Sequence, residues 1–210
     1  MKMAAHSLTQ LDLSESLERK FIATVCEWER IEYGEGKHRI PEAFYLCAKK
    51  NRTGFFMLLN GSSLVGYADV WELPEDFYSM LRVGIIDEES IAERYILSRS
   101  DSRSGLWYIG SIITDPQIRL ERPVGAALAF ASICSALPGF FQNYSKFPAR
   151  ILGVGSSPFG KKLLERWGFA AVARDENAID LRPRFEKVME RPRDADALHL
   201  GRREISQEAP

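Results

Sequence analysis

Histidine and cysteine are scarce in this 210-residue chain, which has three of each: His6, His38 and His199, and Cys26, Cys47 and Cys134. No cysteines stand at C-x-x-C spacing and no H-x-x-x-H pair occurs, which argues against a zinc site and against metal catalysis. An odd number of widely separated cysteines gives no disulfide framework, so a reducing cytoplasm is the expected location. Charge of one sign is also lacking: 28 Lys and Arg against 29 Asp and Glu leave a net charge of -1. No basic field exists to draw nucleic acid or anionic lipid, and neither is expected as a partner. The first twenty residues turn polar too soon for a signal-peptide core. The longest apolar run, 124–141, is interrupted by Gly125, Ser132, Ser135, Pro138 and Gly139. It falls short of the roughly 20 clean residues of a membrane span and reads as a buried helix.

What is present is an ordinary globular composition, 45% hydrophobic and 27% charged, enough to bury the core of one domain. Leu17, Phe21, Ile22, Val25, Trp28 and Ile31 recur at three- and four-residue spacing, which predicts a helix over 14–31 capped by Ser14. Pro41 opens a second helix over 41–50. Two apolar, aromatic-rich runs flank Asn60-Gly61 and predict an antiparallel hairpin over 54–73. A charged insertion, 74–105, follows, with a helix suggested around 88–96. Next come a strand over 106–114, a helix over 123–137, a strand over 150–155, a helix over 158–167 and a strand over 169–173. The domain is expected to span 1–183, with 184–210 a charged, partly disordered extension.

The turn that carries chemistry runs from Thr114 to Ala127. An apolar strand followed by small residues at a helix start leaves backbone N–H groups without intrahelical partners, at the positive end of the helix dipole. Such a turn can hold a phosphate. Gly125 and Ala127 would let a pyrophosphate approach those amides. Close packing of an alanine-rich helix on a sheet, through Ala126, Ala127, Ala129 and Ala131, accounts for the same residues equally well.

Arg122-Pro123-Val124-Gly125-Ala126-Ala127 resembles the pyrophosphate motif of the GNAT superfamily of acyl-CoA-dependent N-acyltransferases, Q/R-x-x-G-x-G/A, at every specified position. Lys161 to Phe169 is similar to that family's closing helix with its terminal G-F, and Val65-Gly66-Tyr67-Ala68 to its early strands. The resemblance covers roughly 8–182. It implies an α/β (α+β) fold: a mixed, mostly antiparallel twisted sheet with helices on both faces and a helical insertion between the third and fourth strands. It implies acetyl-CoA as co-substrate, with pyrophosphate on the turn Arg122, Val124, Gly125, Ala126 and Ala127, and pantetheine along Ile112, Ile113 and Thr114. A primary amine of a small molecule or protein would attack the thioester directly, without a covalent intermediate.

The family's usual tyrosine acid falls on Leu164. Glu72 is the first candidate to accept the amine's proton, with Asp69, Asp87, Glu88 and Glu89 also in view, and Tyr108 is the candidate to line the pocket or polarise a group. The insertion is where acceptor specificity is expected. Two alternatives stay open: an acyl carrier protein donor on the same fold, and a non-catalytic module that binds coenzyme A. Pairing of two copies as a homodimer is a further expectation.

Overall fold

The computed structural model describes residues 4–34, 39–98 and 104–190. Seven strands form one sheet in the order β1-β2-β3-β4-β5-β7-β6. They are β1 (Ala4–Ser7), β2 (Phe55–Asn60), β3 (Ser63–Glu72), β4 (Leu106–Thr114), β5 (Ala149–Val154), β6 (Ala170–Ala171) and β7 (Arg184–Met189). Every neighbouring pair is antiparallel except β4 and β5. A parallel pair needs a crossover, and the long α5 (Pro123–Tyr144) supplies it. The mixed, mostly antiparallel sheet is the expected fold class.

Helices cover both faces. On one side lie α1 (Glu15–Tyr33) and α2 (Pro41–Lys50), packed over Phe55, Tyr67, Trp71 and Tyr108. The Ser14 hydroxyl caps α1 by accepting from Leu17 N–H, and Gly34, at φ +90°, ends it. On the other side α5 and α6 (Pro158–Arg166) cover Val70, Trp107 and Ile151. The hairpin turns at Gly61, whose φ of +61° favours glycine.

α5 is longer than the periodicity predicts and continues through Pro138 to Tyr144. Its length and apolarity match a membrane span, yet one stripe, Ala126, Ala129, Ile133, Leu137, Phe140 and Phe141, is buried against the sheet. Val124 and Leu128 on the opposite side are exposed, so the helix is half-buried rather than buried. The contact is close: a Cβ on Gly66 would come within 2.8 Å of Ile133 Cδ1. Burying a side chain the size of Ile133 contributes about 2 kcal/mol.

The insertion and the C-terminal boundary depart from expectation. No helix forms over 88–96; two 3-10 turns stand there, at Glu88–Ser90 and Glu93–Tyr95. The helix is α3 (Glu75–Val83), which has Glu75 and Asp76 in its first turn, buries Phe77, Tyr78 and Leu81, and stops at left-handed Gly84. The sheet also does not end at 183. Residues of the predicted extension form β7, inserted between β5 and β6, with Phe185 buried. Arg184 enters the core because its guanidinium donates to the carbonyls of Leu81, Asp180 and Arg182 and to the Asp180 carboxylate. The predicted strand over 169–173 reduces to the two residues of β6. Residues 191–210 lie outside the described residues, as does His38.

Candidate active site

β4 and β5 part company half-way along. They pair from Leu106–Arg150 to Ile109–Gly153, but β4 runs on to Thr114 while held on its other edge by β3 as far as Gly66. The cause is a bulge. Ala68 pairs with Ile112 and Val70 with Ile109, so Gly110 and Ser111 stand together opposite Asp69. An extra residue bends its strand and increases its twist, which carries β4 away from β5. The gap opens into a cavity of about 990 Å³.

The charges of the cavity wall come unevenly from along the chain, and Arg119 meets Glu32 across it at 2.6 Å. Among the described residues, the part contributed between Tyr108 and Trp167 holds Arg119 and no carboxylate. Ile112, Thr114, Ala126, Ala127 and Phe130 make much of that side. The part contributed between Glu29 and Arg94 holds five carboxylates, Glu29, Glu32, Glu88, Glu89 and Glu93, against Arg39 and Arg94.

Part of the wall belongs to a polar ring in which Asp69, Glu29 and Ser111 are buried and Arg39 is partly exposed. The Arg39 guanidinium donates to Asp69 Oδ2 at 2.9 Å, to Glu29 Oε1 at 2.9 Å and to Ser111 Oγ at 3.1 Å. Ser111 donates its N–H to Asp69 Oδ1 at 2.9 Å and its hydroxyl to Glu29 Oε1 at 2.9 Å. Tyr67 O–H donates to the same Glu29 oxygen at 2.5 Å, and the Trp71 indole N–H donates to Asp69. Burial pushes the Asp69 carboxyl above its ordinary value against the pull of Arg39. Burial opposes the charge on Arg39, but Asp69 and Glu29 outweigh it and hold the guanidinium protonated. Among the described residues, Glu29 Oε2 receives the Arg39 backbone N–H, at 3.5 Å.

Tyr108 lies in the cavity wall and its hydroxyl donates to Glu88, which also pairs with Arg182. Burial raises the phenol well above its ordinary value and the neighbouring Glu88 charge raises it further, so it stays protonated. Arg182 is fixed in turn by Asp180. The insertion thus delivers Glu88 to β4.

The predicted residues divide. Tyr108, Ile112, Ile113, Thr114, Ala126 and Ala127 come together in the cavity wall, joined by Glu88 and Glu89. Arg122, Val124 and Gly125 belong to the adjacent first turn of α5 but do not line the cavity. Ala126 N–H already donates to Arg122 O at 3.0 Å. The amides that precede this first intrahelical bond are those of Val124 and Gly125, since Pro123 has none. The long link from Thr114 folds as α4 (Pro116–Glu121), capped by Asp115. Glu72 is misplaced: it faces α5, on the sheet face opposite Trp71, and accepts from Gly105 N–H at 2.9 Å. Alternation along β3 puts residues 67, 69 and 71 on one face and 68, 70 and 72 on the other. Asp87 caps the turn at Ser90.

Glu29, Tyr33 and Arg39 were not anticipated. A signal existed for Glu29: Ile22, Val25 and Glu29 follow the spacing of the buried face of α1, so a carboxylate falls on an apolar stripe.

No protein-family model matches the chain, and no curated protein matches it in sequence. Solved structures do match. A GNAT-family acetyltransferase from Staphylococcus aureus shares 9% identity over 90% of this chain and 100% of its own, with a TM-score of 0.51. One from Streptococcus agalactiae shares 15% over 90% and 96%, at 0.51. The ribosomal-protein alanine N-acetyltransferase from Escherichia coli shares 10% over 94% and 99%, also at 0.51. The chain has the fold of the GNAT acetyltransferases.

Proposed function

We propose that the protein transfers an acetyl group from acetyl-CoA to a primary amine of a small molecule or protein. The cleft that opens where β4 leaves β5 carries this reading. The edge of β4 freed by its parting from β5 lines the cavity from Ile112 to Thr114 without a carboxylate and suits the thioester arm, and the acids that α1 and the insertion bring to the cavity, each of Glu29, Glu32, Glu88 and Glu93 already facing a cation, suit an amine that arrives as an ammonium ion. Pantetheine would pair with the backbone of Ile112 to Thr114 as an added strand. The pyrophosphate would meet the amides of Val124 and Gly125, with Ala126 and Ala127 as low walls and, as cations nearby, Arg122 and Arg119, the latter paired with Glu32.

In the reaction the ammonium gives its proton to a carboxylate, for which Glu29 and Glu88, both in the cavity lining, are the candidates. The neutral nitrogen attacks the thioester carbonyl, the C–N bond forms, the C–S bond breaks, and the thiolate takes a proton. Thiol pKa values lie near 8.5, so the leaving group makes a modest demand on an acid. Tyr108, whose hydroxyl donates to Glu88, is the group available to relay to the thiolate the proton that Glu88 took, so that both side chains end as they began; Leu164 has no hydroxyl. Leu164, buried against Gly153, is the one observation that favours a non-catalytic module.

Isothermal titration with acetyl-CoA, coenzyme A and a long-chain acyl-CoA tests the reading, with Gly125→Glu as the variant. Binding to the wild type that is lost in the variant supports it, and thiol release with amine acceptors then follows. Failure to bind all three ligands overturns it.

A further inference from the structure

Asp69 is fully buried, and the bulge of β4 is built around its carboxylate. Two residues, Gly110 and Ser111, stand opposite this one, and the carboxylate occupies the space their extra length creates. It accepts Ser111 N–H at 2.9 Å, the Trp71 indole N–H, and two contacts from Arg39 at 2.9 and 3.3 Å. Gly110 admits it by having no side chain: a Cβ there would lie 2.1 Å from Asp69 Oδ2 and 2.9 Å from its Cγ. No rotamer of alanine relieves such an overlap, so the carboxylate in this place requires glycine at 110.

The position of this contact matters. The last β4–β5 pair is Ile109–Gly153, and the bulge begins at the next residue. Arg39 and Ser111 extend the contact to Glu29 of α1, closing a ring across β3, β4 and α1. Burying the Asp69 and Glu29 carboxylates against the partly exposed Arg39 guanidinium has a desolvation cost that apolar residues in a regular ladder would avoid. The ring does something the regular ladder cannot, which is to hold two consecutive β4 residues out of register where the cleft opens.

We infer that Asp69 is a positioning residue of the donor site: through Gly110 and Ser111 it fixes where β4 leaves β5, and so the width of the cleft and the course of the backbone that a thioester meets. This rests on the acyl-CoA reading. Asp69 does not line the cavity, so it acts through the strand and not by contact with substrate.

The test compares Asp69→Asn, Gly110→Ala and the double variant by titration with acetyl-CoA, with melting temperatures recorded alongside. Glu18→Gln, which breaks a similarly buried ion pair with Arg52 far from the cleft, is the stability control. Each single substitution at the bulge is expected to weaken acetyl-CoA binding by the folded protein about tenfold. The double variant is expected to be no weaker than the worse single one, because both break the same contact. Glu18→Gln should lower the melting temperature and leave affinity unchanged. Affinity of folded Asp69→Asn within about twofold of wild type, with only the melting temperature lowered, would overturn the inference. Absence of acetyl-CoA binding by the wild type itself would instead overturn the acyl-CoA reading and this inference with it.

Discussion

Gly153 of β5 and Leu164 of α6 share one volume: a Cβ built on Gly153 would lie 2.8 Å from Leu164 Cδ2. The contact falls where β4 and β5 separate, so the leucine closes the floor of the cleft. Truncation should leave a cavity there, and Leu164→Ala is expected to cost about 3 kcal/mol of stability in denaturant unfolding. Gly153→Ala overpacks the same spot and should cost about 2 kcal/mol. Because the truncation makes room for the added methyl group and the methyl group fills part of the cavity, the double variant should be more stable than the sum of the single effects requires. Simple additivity would show that the two residues do not compete for space.

Tyr108 and Glu88 make the second testable pair. Tyr108→Phe removes the hydroxyl and keeps the ring that packs in the core. With acetyl-CoA as donor, turnover should fall about a hundredfold while affinity for acetyl-CoA is unchanged. The phenol titrates well above its ordinary value, so below pH 10 it should impose no basic limb on the wild-type rate profile. Equal losses in affinity and turnover would place Tyr108 in binding and not in proton transfer.

How legible was this in the sequence? The strand over 106–114 was readable to the residue because a stretch of nine with six large apolar residues follows a Ser-Gly loop, and the hairpin because Asn60-Gly61 announces its turn. β7 was not readable. Its first residue is an arginine buried only because carbonyls of α3 and of the chain before β7 surround the guanidinium, a tertiary arrangement without a periodic trace. Glu72 and Asp69 illustrate the limit at the site. Strand alternation separates them onto opposite faces, but the sequence does not say which face carries the cleft. The Asp69, Arg39 and Glu29 ring joins three elements whose proximity only folding creates.

Asp180 makes stability depend on pH. Burial alone would raise its carboxyl, but hydrogen bonds and charge from Arg182, and the charge of Arg184, outweigh that and bring it from 3.8 to about 2. A carboxylate lowered in the folded state contributes stability that is present above its unfolded value and lost as pH falls through the folded value. Urea unfolding should therefore show stability declining between pH 3.8 and about 2. Asp180→Asn should lack this part of the decline and be less stable at neutral pH, because Arg184 then stays buried without its charge partner. An unchanged acid profile in the variant would mean that Asp180 is not the group responsible.

Gly125 separates what the fold requires from what a ligand would require. At Gly66, Gly110 and Gly153 a Cβ would strike neighbouring atoms at 2.8 Å or less, but at Gly125 it would meet only Arg122 Cβ, at 3.6 Å. Glycine in a helix is about 1 kcal/mol worse than alanine. The first turn of α5 thus carries a residue that costs stability and that no packing contact in the fold demands. If the absent side chain leaves room for a pyrophosphate against the amides of Val124 and Gly125, Gly125→Ala should raise the melting temperature and weaken acetyl-CoA binding together. Opposite shifts in stability and affinity from one methyl group are the signature of a position kept open for a ligand. A stabilised variant with unaltered acetyl-CoA affinity would remove Gly125 from the binding site and move the phosphate elsewhere along the cleft.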